Sequence, residues 1–141
     1  MRNEEGFSNV IGVISGEIKF ATGRGMQYDY SFHHREDRVT STLSYGLGYA
    51  DAFAEWAELV TGTKYKFPDT ALNQLIDYYL DGICKQMVYG KITDPGARNR
   101  DISRADGSGR SGTTALERMM KASDYRKTEL EQIISIRKGE A

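Results

Sequence analysis

Disulfides, proline-rich linkers, membrane spans and a charge excess of either sign are all missing from this chain. There is one cysteine, Cys84, so no internal bridge can form and the redox compartment is not indicated. Two prolines among 141 residues leave no stiff linker. No apolar run approaches the roughly 20 residues that an α-helix needs to cross a bilayer. The N-terminus, MRNEEGFSNV, has no apolar core of a signal peptide, so any export signal of a parent protein is expected outside the chain. A formal net charge of −1 gives neither the basic excess of a nucleic-acid binder nor an acidic tail. No repeat of fixed period is present.

The length suits one domain, long enough for a core but short for a whole enzyme with a deep cleft. Apolar residues recur at helical spacing in several stretches. Over about 4–20 the stripe is Phe7, Val10, Ile11, Ile14 and Ile18, with Gly12 and Gly16 each weakening a helix by roughly 1 kcal/mol against alanine. Gly25–Thr42 reads as an irregular loop. From about Thr42 the stripe is Leu43, Leu47, Phe53, Trp56, Ala57 and Val60, which makes Trp56 a core residue; Gly62 is the stop. After the turn TKYKFP, Asp69 is suited to cap a helix that runs through Leu72, Leu75, Ile76, Tyr79, Leu80, Ile83, Met87 and Val88 to Gly90. Cys84 on that helix reads as a small packed hydrophobe. Residues 90–112 have no period. Helical pattern resumes near Thr113 with Leu116, Met119 and Met120, then again with Leu130, Ile133, Ile134 and Ile136, with Ser123 as the second segment's cap. These patterns predict an all-α fold of helical hairpins packed side by side.

The chemistry concentrates in two places. Gly25–Tyr49 carries both histidines, His33 and His34, with several tyrosines and alternating acid and base. Zinc would need further ligands, and no other histidine exists to supply them, so acid–base work or a solvated loop are the readings for the pair. Gly107–Thr114, GSGRSGTT, has two glycines of a phosphate loop but threonine where the lysine must be. Arg100 and Arg104 stand four apart, one helical turn, where two guanidiniums can grip a carboxylate or sulfate; Asp101 and Asp106 allow a solvated loop instead.

Taken together, GMQYDYSFHHREDRVTSTLSYG, a long helical hairpin and then NRDISR resemble the central part of polysaccharide lyase family 8, the chondroitin AC, hyaluronate and xanthan lyases. The residues that carry the likeness are Gly25-Met26-Gln27-Tyr28-Asp29-Tyr30-Ser31-Phe32, a histidine, Tyr45-Gly46 and Arg100…Arg104, over roughly residues 15–105. The resemblance implies that the helical hairpins form part of an (α/α) toroid, an incomplete one here. It further implies a groove for an acidic polysaccharide such as chondroitin or hyaluronan, cleaved by β-elimination at a uronate without hydrolytic water or any cofactor. It assigns catalysis to Tyr45, His34, Arg100 and Arg104, and substrate contact to His33, Arg35 and Asn99. His34 is chosen over His33 because it lies nearer Tyr45. The histidine-to-tyrosine spacing is longer than in well-known members. The family's upstream asparagine, which binds the uronate carboxylate, has no counterpart; Asn9 lies too near the motif.

The chain is therefore expected to be a fragment of the toroid domain, 1–141, of a secreted or periplasmic parent that supplies the rest of the toroid and β-sheet domains. The alternative is a non-catalytic helical module that binds acidic glycans through its arginines.

Overall fold

The computed structural model describes residues 3–37, 39–90, 92–98, 103 and 112–140. Among these, the α-helices are α1 (Glu4–Gly16), α2 (Tyr45–Val60), α3 (Asp69–Asp77), α4 (Thr114–Ala122) and α5 (Lys127–Lys138). Two antiparallel ribbons of two-residue strands interrupt them: β1 (Gly25–Met26) with β2 (Phe32–His33), and β3 (Met87–Val88) with β4 (Ile92–Thr93). The fold is all-α, with these ribbons as its only described strands.

Helix α2 organises the core. Its buried face is made of Gly46, Ala50, Ala54, Ala57 and Val60, so small residues let α3 and α4 approach closely. Leu72, Leu75 and Ile76 of α3, Leu116 and Met119 of α4 and Leu130 of α5 fill the space around them. Because the seam is lined by alanines, the larger residues beside it are turned outward. Trp56 is 38% exposed and is not the core residue its spacing predicts.

Other boundaries also differ from expectation. Helix α1 stops at Gly16, and only its C-terminal half is covered: Ile11 and the following Ile18 are buried, while Phe7 and Val10 are exposed. Phe7 meets the ring of Tyr65 edge-on at 4.8 Å. Pro68, not Asp69, stands at the cap of α3, and Asp69 occupies the first turn, where its charge favours the helix dipole. The helix that starts there does not reach Gly90. It widens to π geometry over Tyr78–Ile83, tightens to a 3-10 turn over Cys84–Gln86, and ends in β3. The widened turn contains Gly82, where a Cβ would lie 2.6 Å from the Tyr30 carbonyl oxygen. A glycine here lets the Gly25–Thr42 loop lie directly on the helix. Ser123 closes α4 instead of opening α5; its hydroxyl accepts from the Tyr125 N–H at 3.1 Å. Cys84 is buried as expected.

Arg126 precedes α5 with φ 49 and fixes that helix to the π segment. Its guanidinium meets Asp77 at 2.9 Å, Asp81 at 2.7 Å and Glu129 at 2.6 Å. These bonds hold the Asp81 and Glu129 carboxyls below their usual range.

Candidate functional site

The Gly25–Tyr45 segment is built largely from its own residues. Gln27 N–H donates to Ser31 O at 2.8 Å and Tyr30 N–H to Gln27 O at 2.9 Å, closing a turn in which Tyr30 takes φ 61. Asp29 Oδ1 accepts from both the Ser31 N–H, at 3.0 Å, and the Ser31 hydroxyl, at 2.7 Å. The side-chain bond is the larger cause that holds the Asp29 carboxyl below its ordinary range. The β1–β2 pairing then sets Gly25 against His33 and Met26 against Phe32. Thr42, fully buried, accepts the Phe32 N–H at 3.0 Å, and Ser41 N–H donates to Phe32 O at 2.8 Å. The chain is thereby delivered to the first residue of α2, Tyr45.

His34 and Tyr45 meet there. Their rings stack with centroids 3.7 Å apart and planes within 7°. Tyr45 is 50% exposed, so its hydroxyl belongs to an accessible group. Parallel rings present the imidazole edge and the phenol side by side, each able to address a third molecule. Beneath them Gly46 is packed against the Tyr78 hydroxyl and, for a Cβ, only 2.9 Å from Phe32 Cβ. Burial pushes the Tyr78 phenol far above its ordinary range, so it stays neutral.

His33 goes elsewhere. Its Nε2 lies 3.2 Å from Ser31 Oγ. Since the Ser31 proton is committed to Asp29, Nε2–H is the donor, which leaves Nδ1 as the acceptor in the neutral ring. His33 lines a cavity of about 450 Å³ with Gln27, Tyr28, Asp29, Ser31 and Glu36. Tyr28 is exposed at its rim and stacks on Phe20 at 4.9 Å. Arg35 is exposed in the turn that follows His34.

Of the residues expected to serve the site, then, His34 and Tyr45 are brought together, His33 turns to Ser31 instead, and Arg35 is exposed to solvent. Arg100, Arg104 and Asn99 lie outside the described residues. Their near neighbour Ala97 is placed: its carbonyl accepts the Leu43 N–H at 3.1 Å, two residues before Tyr45.

Sequence reasoning passed over Arg137. It is 5% exposed, at the end of α5. The usable signal was its place on the stripe of Leu130, Ile133 and Ile134, where a cation must be buried or break the pattern. Its Nε–H donates to Gly90 O at 2.8 Å. Nη1 donates to Tyr79 Oη at 2.9 Å and to Gly112 O at 2.7 Å. Nη2 approaches Cys84 Sγ at 3.6 Å and Met87 Sδ at 3.3 Å. These contacts account for all five N–H donors of a guanidinium. Burial pushes the Cys84 thiol up to about 11, which keeps it a neutral acceptor.

The chain matches the family described as polysaccharide lyase family 8, N-terminal alpha-helical domain, over residues 1–136. It belongs to polysaccharide lyase family 8. Its fold is similar to a solved structure of chondroitinase AC lyase, whose active site was defined with oligosaccharide complexes and mutagenesis. The TM-score is 0.82 at 22% identity, over 99% of this chain and 21% of that one. The chain thus spans about one fifth of the length of that relative. No curated protein sequence matches it.

Proposed function

We propose that this chain forms part of the toroid domain of a lyase that cleaves a uronate-containing glycosaminoglycan, chondroitin or hyaluronan, by β-elimination. The observation that carries the reading is the His34–Tyr45 stack at the start of α2. The C5 proton of a uronate is α to a carboxylate and weakly acidic. Its removal needs a base at C5, a cation for the charge that builds on the carboxylate, and an acid for the departing O4. Tyr45 delivers the proton to O4. His34, or Tyr45 itself as phenolate, takes the C5 proton. The electron pair left at C5 forms the C4–C5 double bond as the C4–O4 bond breaks. Arg100 and Arg104 supply the positive charge, for which fixed donors are often the largest catalytic contribution. His33, Arg35 and Asn99 contact the substrate. No cofactor enters these steps.

A parent chain supplies the rest of the toroid and its β-sheet domains, and acts outside the cell or in the periplasm. No described helix is long and apolar enough to cross a membrane. The test uses the full-length parent, with chondroitin and hyaluronan in parallel and the unsaturated uronate followed by ultraviolet absorbance. Tyr45→Phe removes one hydroxyl and should lower turnover ~10²–10⁴-fold. Wild-type turnover in a folded Tyr45→Phe protein would overturn the assignment, and chain cutting without unsaturated ends would mean hydrolysis.

The second reading is a non-catalytic glycan-binding helical module. It is favoured by the lack of a counterpart to the family's asparagine that binds the uronate carboxylate. A chain that binds oligosaccharide tightly but yields no unsaturated product, even within its parent, would select it.

A further inference from the structure

We infer that the cavity beside His33 is a subsite for the uncharged hexosamine unit of the polymer, and that it turns away a hexosamine carrying sulfate. The polymer is that of the proposed function, on which this subsite rests; the character of the cavity follows from its own hydrogen bonds. Both N–H bonds of the Gln27 amide are spent inside the protein, on Gly23 O at 2.9 Å and Gly25 O at 3.0 Å. The Ser31 hydroxyl donates to Asp29 and accepts from His33 Nε2–H. These side chains have only lone pairs left to offer, on Gln27 Oε1, Asp29 Oδ2 and, in the neutral ring, His33 Nδ1. Glu36 adds a second carboxylate to the lining. The remaining side-chain donors are the hydroxyls of Thr22 and Tyr28, which accept equally well. Among the described residues no lysine or arginine lines the cavity, so the two carboxylates leave it net negative even with His33 protonated.

Such a wall holds groups that donate and repels groups that only accept. The O–H and amide N–H groups of an N-acetylhexosamine are donors, whereas a sulfate or a uronate carboxylate is an anion with nothing to donate. A metal ion would also be drawn to acceptors, but among the described residues no group of three or more His, Cys, Asp or Glu is suited to hold one. The volume, about 450 Å³, is that of a small-molecule site and admits one sugar ring. Tyr28 supplies a platform for it. One face of the phenol ring is stacked on Phe20 at 4.9 Å, and at 73% exposure the other is open to the apolar face of a pyranose. His33 and His34 are consecutive, with Cα atoms about 3.8 Å apart; one lines this cavity and the other stacks on Tyr45. A polymer that alternates uronate and hexosamine thus places a uronate at Tyr45 and the adjoining hexosamine here.

Two measurements test the subsite. In the first, the 141-residue chain is titrated with N-acetylgalactosamine and, separately, with its 6-sulfate, while NMR follows the Gln27 side-chain amide and the His33 ring. A single sugar binds on the order of millimolar. The neutral sugar should shift both signals, and the 6-sulfate should bind at least about tenfold more weakly. Equal binding of the two, or no shift at either residue with the neutral sugar, would overturn the subsite. In the second, the full-length parent is given desulfated chondroitin and chondroitin 6-sulfate, and kcat/KM is taken from the unsaturated uronate. The desulfated polymer should be favoured at least about tenfold, and a double variant, Asp29→Asn with Glu36→Gln, should lose most of that preference. Asparagine keeps an oxygen for the Ser31 N–H, so the turn retains that bond. Asp37 is exposed and lies outside the cavity, so Asp37→Asn should leave the preference unchanged. An equal loss in Asp37→Asn would reduce the effect to general charge and overturn the subsite, as would a parent with no preference or a preference the double variant keeps. If the parent makes no unsaturated uronate from either polymer, the lyase reading fails, while the titration still decides the cavity.

Discussion

Two parts of this protein, residues 20–46 and the pair Gly90 and Gly112, are held by opposite means. The first is closed by neighbours in sequence: Asp29 on Ser31, Gln27 on Tyr30 and Ser31, Thr42 on Phe32. The carbonyls of Gly90 and Gly112 depend on a distant side chain, Arg137, whose helix is in turn fixed by Arg126. A loop closed locally can form its hydrogen bonds before the core is complete. Carbonyls bound by a distant arginine find their donor only when α5 has docked. His34, which stacks on Tyr45, is on the first kind.

The strongest blow to the local loop should come from Gly46→Ala. The new Cβ would enter the space of the Tyr78 hydroxyl and Phe32. Overpacking of this kind costs typically about 1–3 kcal/mol, and the clash involves two buried rings, so the upper end is expected in a urea titration. If the proposed function holds, turnover should fall with it, because Gly46 lies in the first turn of α2 beside Tyr45.

Thr42→Val should cost less, about 1–2 kcal/mol, since it keeps shape but leaves the Phe32 N–H without its acceptor. Hydrogen exchange at the Phe32 amide reads this directly. Faster exchange confined to residues 20–46 is expected, and equal acceleration in the second stretch would erase the distinction drawn above.

Acid should loosen both stretches by different routes. Asp29, in the first, and Asp81 and Glu129, which bind Arg126, are all held below the usual carboxylate range by hydrogen bonds. A depressed folded pKa means stabilisation that is complete above the ordinary carboxylate pKa of about 4 and is lost as pH falls through the folded values. The effect is modest because these groups are largely solvated. Thermal melts between about pH 3 and 6 should show Tm falling at the acid end. Asp81→Asn should flatten that slope and loosen the hold of Arg126 on α5.

The smallest change has the opposite sign. Gly48 has open space around its Cβ position and lies within α2. Gly48→Ala should stabilise by roughly 0.5–1 kcal/mol, visible as a raised denaturant midpoint with ribbon and loop exchange unaltered. Two glycines two positions apart in one helix thus serve as opposite controls.

Much of this was legible in the residues. The helical stripes announced an all-α chain, and the glycine-punctuated stretch Gly25–Thr42 fell between α1 and α2, outside any helix; most of residues 90–112 lie outside the described residues. His34 and Tyr45 were singled out by residue type and by the family motif, and the fold stacks them. Periodicity reports only which side of a helix is apolar, so it could not tell that α2 would pack through its alanines and leave Trp56 half outside. Nor could it see the π turn at Tyr78–Ile83, whose Gly82 lies against Tyr30 from another part of the chain. Arg137 looked like an ordinary cation at a helix end. Local chemistry, written in spacing and residue type, was enough to determine the helices and nominate the acid–base pair. Which carbonyls a buried guanidinium would reach was decided only when segments 25 to 47 residues apart came together, since the sequence carries the donors but not the distances between them.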